Sequence, residues 1–286
     1  MAGHDATGSG PDLPSNKVAL GIEYDGSQYH GWQLQSHDPR TVQAEVEAAL
    51  SRIADQPVRV ICAGRTDSGV HATAQVVHFD APCWRDKRAW IQGANSYLPR
   101  DIRVLWCHFV ADDFHARFRA QSRRYLYVIN NRRVRPAIMT EQLTWERRPL
   151  DAEAMHAAAQ YLPGERDFSS FRASHCQALT AFRSVHHLRV KRVADLIIID
   201  IKANAFLYHM VRNIAGVLID IGRGDREPEW AREVLDAHDR KVAGVTAPSH
   251  GLYLVEIEYP DQYGLPNIKA PPLFLSQTCT LRDSDA

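Results

Sequence analysis

Between Lys17 and Tyr259 the chain switches repeatedly between two-residue and helical hydrophobic spacing. Val18, Leu20, Ile22 and Tyr24 alternate up to the turn pair Asp25-Gly26, which predicts a strand over 18–24. Thr41 is placed to cap a helix whose stripe is Val42, Val46, Leu50 and Ile53. Strands are predicted at Val58–Ala63, Gln75–Phe79 and Ile102–Phe109, with a helix at Trp90–Leu98. A second half begins near Ala116. In its strand Arg123–Asn130, Tyr125, Tyr127 and Ile129 share one face, with Leu126 and Val128 on the other. Asp151 is set to cap a helix carrying Met155, Ala158, Ala159 and Leu162. A strand pair at Phe182–Val190 and Asp195–Ala203 precedes a largely buried helix, Leu207–Ile221, stopped by Gly222. An amphipathic helix at Glu227–Ala237 and a strand at Leu252–Tyr259 finish the pattern.

Strands in runs with helices between them give an α+β class with mainly antiparallel sheets. Both halves carry a strand–helix–strand–strand pattern, so two similar subdomains are expected, at 17–115 and 116–275. They are flanked by polar tails at 1–16 and 276–286. With 286 residues, 45% of them hydrophobic, the chain has ample material for a core. Apolar runs such as Leu196–Ile199 are too short to span a bilayer, and no apolar leader opens the chain, so neither membrane insertion nor secretion is expected. Five cysteines, odd in number and without close pairs, fit reduced thiols in the cytoplasm better than a disulfide framework.

The 34 basic and 34 acidic residues cancel, but they are unevenly placed. No acid lies between Asp113 and Glu141, an interval holding Arg117, Arg119, Arg123, Arg124, Arg132, Arg133 and Arg135. None lies between Asp167 and Asp195, where Arg172, Arg183, Arg189, Lys191 and Arg192 stand. Crowded cations repel unless anions sit among them, so these stretches predict a positive face for a nucleic acid. The competing reading is a pair of solvated strands with chance charge bias.

Phosphate-loop and dinucleotide motifs are missing, and the histidines have no metal-ligand spacing, so neither cofactor nor metal is expected. The informative segment is the loop Gly64-Arg65-Thr66-Asp67-Ser68-Gly69-Val70-His71-Ala72. Aspartate in a loop is ordinarily a turn residue. It is also a nucleophile for an anomeric carbon, if a cation keeps it ionised in a dry pocket. Arg212, on the apolar helix, is either that cation or a side chain that snorkels to the surface. Tyr125, among arginines, is either a core packer or a platform for an unstacked base.

At these residues the chain resembles the bacterial tRNA pseudouridine synthase A family. The matching pieces are Tyr24-Asp25-Gly26 with Gly31-Trp32-Gln33, the 64–72 loop, Arg123-Arg124-Tyr125-Leu126-Tyr127 and Asp167-Phe168-Ser169-Ser170-Phe171. Further on come Ala203-Asn204-Ala205-Phe206, His209-Met210-Val211-Arg212-Asn213 and Gly251-Leu252-Tyr253-Leu254. In order, they cover roughly residues 17 to 275; Ser68 stands where the family often has alanine. The resemblance implies a pseudouridine-synthase-like fold around a central basic cleft. It implies isomerisation of uridine to pseudouridine at positions 38, 39 and 40 of the tRNA anticodon stem-loop, by a homodimer without cofactor. It makes Asp67 the catalytic aspartate, Tyr125 the tyrosine at the target base and Arg212 the partner of the carboxylate. Arg65 would help draw the nucleotide out, and Leu252 would pack against the uracil pocket. A non-catalytic RNA-binding protein, or a related synthase acting at another RNA position, is the alternative.

Overall fold

The structure, a computed structural model, describes residues 16–35, 40–266 and 268–275. The predicted tails lie outside these residues, apart from Asn16, whose carbonyl accepts the Ala81 N–H (2.8 Å). In chain order the elements are β1 (Lys17–Tyr24), α1 (Val42–Ala54), β2 (Ile61–Cys62), β3 (His71–Asp80), α2 (Ala94–Tyr97) and β4 (Ile102–Phe109). They continue with β5 (Ser122–Asn130), β6 (Thr144–Trp145), α3 (Ala152–Ala159), β7 (Gly164–Asp167), β8 (Phe182–Val193) and β9 (Leu196–Ala203). The last are α4 (Met210–Gly222), α5 (Trp230–Ala237) and β10 (Leu252–Glu258).

All ten strands join one sheet in the order β4-β1-β3-β10-β5-β9-β8-β7, with β2 beside β3 and β6 beside β5. Pairing is antiparallel except at β3–β10 and β5–β6. The class is therefore α+β with a mostly antiparallel sheet. β10, last in sequence, lies between the strands of the first half and those of the second. The main core includes the buried residues of α1, α3, α4 and α5 on one face of the sheet. A smaller cluster of Leu126, Val128, Leu143, Ile198, Tyr253, Val255 and Leu275 covers part of the other face. Strand β5 thus keeps the alternation of its sequence, Tyr125, Tyr127 and Ile129 in front and Leu126 and Val128 behind. Among the described residues no helix is long and apolar enough to cross a membrane.

The caps are as expected: Thr41 Oγ1 accepts Ala44 N–H (3.4 Å), and Asp151 Oδ1 accepts Glu153 and Ala154 N–H (2.9 and 3.0 Å). Other boundaries differ. The strand expected at Val58–Ala63 shrinks to Ile61–Cys62 because side chains take the N–H groups before it: Ser51 Oγ accepts that of Val58 (2.9 Å) and the buried Glu47 carboxylate that of Val60 (3.0 Å). The helix expected at Trp90–Leu98 is a π-helical turn, Ala89–Gly93, running into the short α2. It stops where Leu98 turns extended ahead of Pro99. Helix α4 begins at Met210 rather than Leu207, since His209 sits at φ 61°. Gly222 is its last residue, and Gly224 is the left-handed one (φ 73°).

The charge pattern is resolved differently from the sequence expectation at several arginines. Arg124, on the back face of β5, donates to Asp200 (2.7 and 2.6 Å) and Glu256 (3.4 Å), both buried. Arg119 pairs with Asp113 and Arg132 with Asp195. For Arg124 and Arg132 the anions missing from the interval arrive from other segments, and Arg119 uses Asp113 at its edge. Arg123, on the front face, is buried, and its guanidinium donates to the carbonyls of Ala120, Asn204, Ala63 and Arg117.

Two stability predictions follow from these placements. Arg124→Ala leaves two buried carboxylates without their cation and lowers unfolding free energy by about 3–5 kcal/mol in chemical denaturation. Unchanged stability with weakened RNA binding would instead make Arg124 a phosphate contact. His78 is buried, with Ala116 N–H donated to its Nδ1 (3.1 Å); burial, with His115 and Lys17 nearby, pushes it down to about 4. The unfolded chain takes up this proton near pH 6.5 and the native one only near 4, so stability declines as pH falls between those values, by roughly 1–3 kcal/mol from this group. Denaturation at pH 7 and 4.5 should show a smaller decline in His78→Asn; an identical decline would assign the effect to other groups.

Candidate active site

The 64–70 loop is tied to the first turn of the chain. Asp67 O accepts Val70 N–H (3.1 Å), closing a β-turn whose third residue, Gly69, has φ 77°. Thr66 O accepts Trp32 N–H (3.0 Å), Thr66 Oγ1 bonds the Tyr24 hydroxyl (2.8 Å), and Tyr29 O accepts Gly69 N–H (3.2 Å). Gly31, at φ 88°, lies so close that a Cβ there would stand 2.7 Å from Thr66 O and 3.0 Å from the Asp67 carbonyl carbon. These contacts account for the aromatic and glycine residues at 24–32 that accompany the loop in sequence. Ser68, the departure from the usual alanine, donates its hydroxyl to Tyr29 O (3.2 Å).

Helix α4 delivers Arg212 to the loop. Arg212 Nη1 donates to Asp67 Oδ2 (3.3 Å), while its Nε donates to Ala247 O (2.9 Å). Ala247 N–H returns a bond to Arg212 O (3.1 Å). Gly216 allows this approach, since a Cβ there would lie 2.0 Å from Val245 O. The side chains of Asp67 and Arg212 keep 19% and 16% of their exposure, so the pair is largely desolvated yet still reaches solvent. The choice between pairing and snorkelling is settled in favour of pairing.

Tyr125 lies in the same electrostatic neighbourhood. Burial raises its hydroxyl above the usual phenol range, Arg123 opposes this and the Asp67 charge adds to it. Its ring meets Phe206 edge-on, centroids 5.1 Å apart. Among the described residues no protein group hydrogen-bonds its hydroxyl, which stands 3.6 Å from where a Cβ on Gly64 would be. Leu252 is buried at the start of β10, opposite Tyr127 and two residues before Leu254, the partner of Tyr125. Arg65 is exposed two residues before Asp67. The structure thus joins Asp67 and Arg212 directly, brings Tyr125 beside them, and leaves Leu252 in the adjoining core and Arg65 at the rim.

Sequence reasoning passed over His209. Its Nε2 lies 3.4 Å from Asp67 Oδ2, and its ring lies against Tyr208, centroids 4.0 Å apart. Burial lowers its pKa, with Asp67 opposing and Arg212 and Arg240 reinforcing the shift. The available signal was a histidine one turn before Arg212 on the same helix face.

Residues 21–119 and 158–260 match the tRNA pseudouridine synthase family. The tRNA pseudouridine synthase A of Coxiella burnetii is 54% identical over 259 residues, which are 91% of this chain and 99% of that protein. Its namesake in Vibrio campbellii is 55% identical over 259 residues, 91% and 98% of the two chains. Among solved structures, a chain of a Cbf5-Nop10-Gar1 complex aligns at 12% identity and a TM-score of 0.30, covering 71% of this chain and 45% of that one. The matched segments carry the 64–70 loop and the start of α4, and the chain belongs to the tRNA pseudouridine synthase family.

Proposed function

We propose that the cleft between the 64–70 loop and the start of α4 isomerises uridine to pseudouridine at positions 38, 39 and 40 of the tRNA anticodon stem-loop. The observation that carries this reading is the desolvated Asp67–Arg212 pair facing Tyr125. In the reaction the N1–C1′ bond breaks, the base turns and C5–C1′ forms. C5 loses a proton and N1 gains one, so no electrons or groups are exchanged with a cofactor. Asp67 either attacks C1′ or takes a proton next to it. Arg212, fixed at Nε by Ala247 O, neutralises the carboxylate. Tyr125 contacts the flipped base, its buried hydroxyl raised above the usual phenol range with the Asp67 charge adding to the shift. Leu252 packs beside the uracil, and Arg65 at the rim draws the nucleotide out. Flipping costs a few kcal/mol, offset by phosphate contacts that depend on salt.

The same reading divides the chain at about residues 115 and 116 into two subdomains that meet where β3 pairs with β10, and takes the protein to be a cytoplasmic homodimer. It rests on the residues and motifs of the cleft together with the family membership.

Tritium release from C5-labelled tRNA tests the reaction directly, because forming C5–C1′ expels that hydrogen. The parent should release tritium and modify the anticodon stem-loop. Asp67→Asn should bind tRNA with parent affinity and release none. Binding without release by either protein would leave a non-catalytic RNA-binding protein, and release mapped elsewhere a synthase for another position. Arg212→Ala strands a largely buried carboxylate, so it should cut turnover at least 100-fold and lower the melting temperature. A variant that melts and turns over like the parent would remove Arg212 from the machinery.

A further inference from the structure

Two nitrogen donors near Asp67 converge on one oxygen. Arg212 Nη1 is 3.3 Å and His209 Nε2 3.4 Å from Oδ2, while no donor among the described residues reaches Oδ1. His209 holds an unusual backbone conformation for this approach. At φ 61° it is left-handed in the position just before α4, where it gives the helix no side-chain cap, and its carbonyl accepts Asn213 N–H (2.9 Å). A non-glycine residue in that region is uncommon, although histidine tolerates it better than most, and such a conformation persists where the surroundings or the function require it. Here the left-handed turn aims the imidazole back at the loop, between Tyr208 and the Asp67 carboxylate. The other charged groups around it are Arg212 and Arg240.

Building on the assignment of Asp67 as the reacting carboxylate, we infer that His209 is a second positioning residue, which donates Nε2–H to Asp67 Oδ2 when tRNA closes the cleft and so leaves Oδ1 as the oxygen that reacts. At 3.4 Å the contact is longer than a formed hydrogen bond, and a shift of a few tenths of an ångström closes it; such tightening on substrate binding is general for catalytic hydrogen bonds. Two donors on one oxygen stop the carboxylate from rotating about its bond to Cβ. Arg212 alone, with a single nitrogen on Asp67, does not.

His209→Gly separates this role from a structural one, because glycine adopts the left-handed turn without strain. The variant should keep the parent's melting temperature or exceed it and bind tRNA with unchanged affinity. Its single-turnover rate at saturating tRNA should fall roughly 10- to 100-fold, as expected for losing one hydrogen bond to a charged group. His209→Gln, which restores an N–H donor, should recover part of that rate. A parent-like rate in His209→Gly, or a loss of affinity without a loss of rate, overturns the inference. Asp67→Asn measured alongside keeps the two readings apart: an active Asp67→Asn removes the reacting carboxylate itself, whereas an inactive Asp67→Asn beside a fully active His209→Gly removes only His209.

Discussion

The site depends on one short stretch of parallel pairing. Tyr253 opposite His71 and Leu254 opposite Ala72 are the register of β3 with β10, and they join residues more than 180 positions apart in sequence. Because the strands run the same way, the start of β10 comes to the start of β3, where the 64–70 loop ends. The antiparallel partner β5 then places Tyr125 opposite Leu254, about 10 Å across the sheet from Ala72. Two residue pairs are a weak joint by themselves, and side chains reinforce it. The buried His71 ring stacks on Tyr253 at 4.7 Å, with Nδ1 3.1 Å from Asp25 and Nε2 3.1 Å from Glu141 O. Burial works against the Asp25 charge, but contacts from His71, Ser27 and Gln142 hold its carboxyl well below the usual carboxylate range. Turn, loop and the second half of the sheet are thereby locked to one another beside the Asp67 loop.

Most of the site was legible in the sequence, and the parts that were not share a cause. Alternation along β5 gave the right faces, and the Thr41 and Asp151 caps gave the right helix starts, because both are local effects of a few residues. The Asp67 loop and Arg212 stood out as a carboxylate between glycines and a cation on an apolar helix. What sequence did not disclose came from groups distant in the chain. Glu47 and Ser51 shorten β2 from thirteen and seven residues away. His209 moves the start of α4 to Met210 through a left-handed backbone angle that hydrophobic spacing does not announce. The strand order puts the last strand in the middle of the sheet, which local pattern does not encode.

Charge shows the same limit, and its resolution explains how a chain with no net charge serves an anionic substrate. Arginines fall into two groups according to what they touch. Arg124, Arg119, Arg132, Arg148 and Arg223 meet carboxylates, and their charge is cancelled within a few ångströms. Arg123, Arg172, Arg183 and Arg240 donate to carbonyl, amide or hydroxyl oxygens instead. Neutral acceptors satisfy a guanidinium's hydrogen bonds without removing its charge. Two members of this second group lie beside the candidate site. Arg123 bonds the carbonyl of Ala63, at the root of the Asp67 loop, and Arg240 bonds Asn213, next to Arg212. The carboxylates cluster behind β5 and β9, where Asp200, Glu256 and Glu258 hold Arg124 and Lys202. A formal charge of zero is thus divided by place: carboxylates cancel the cations behind β5 and β9, while Arg123 and Arg240 keep their charge beside the Asp67 loop and Arg212.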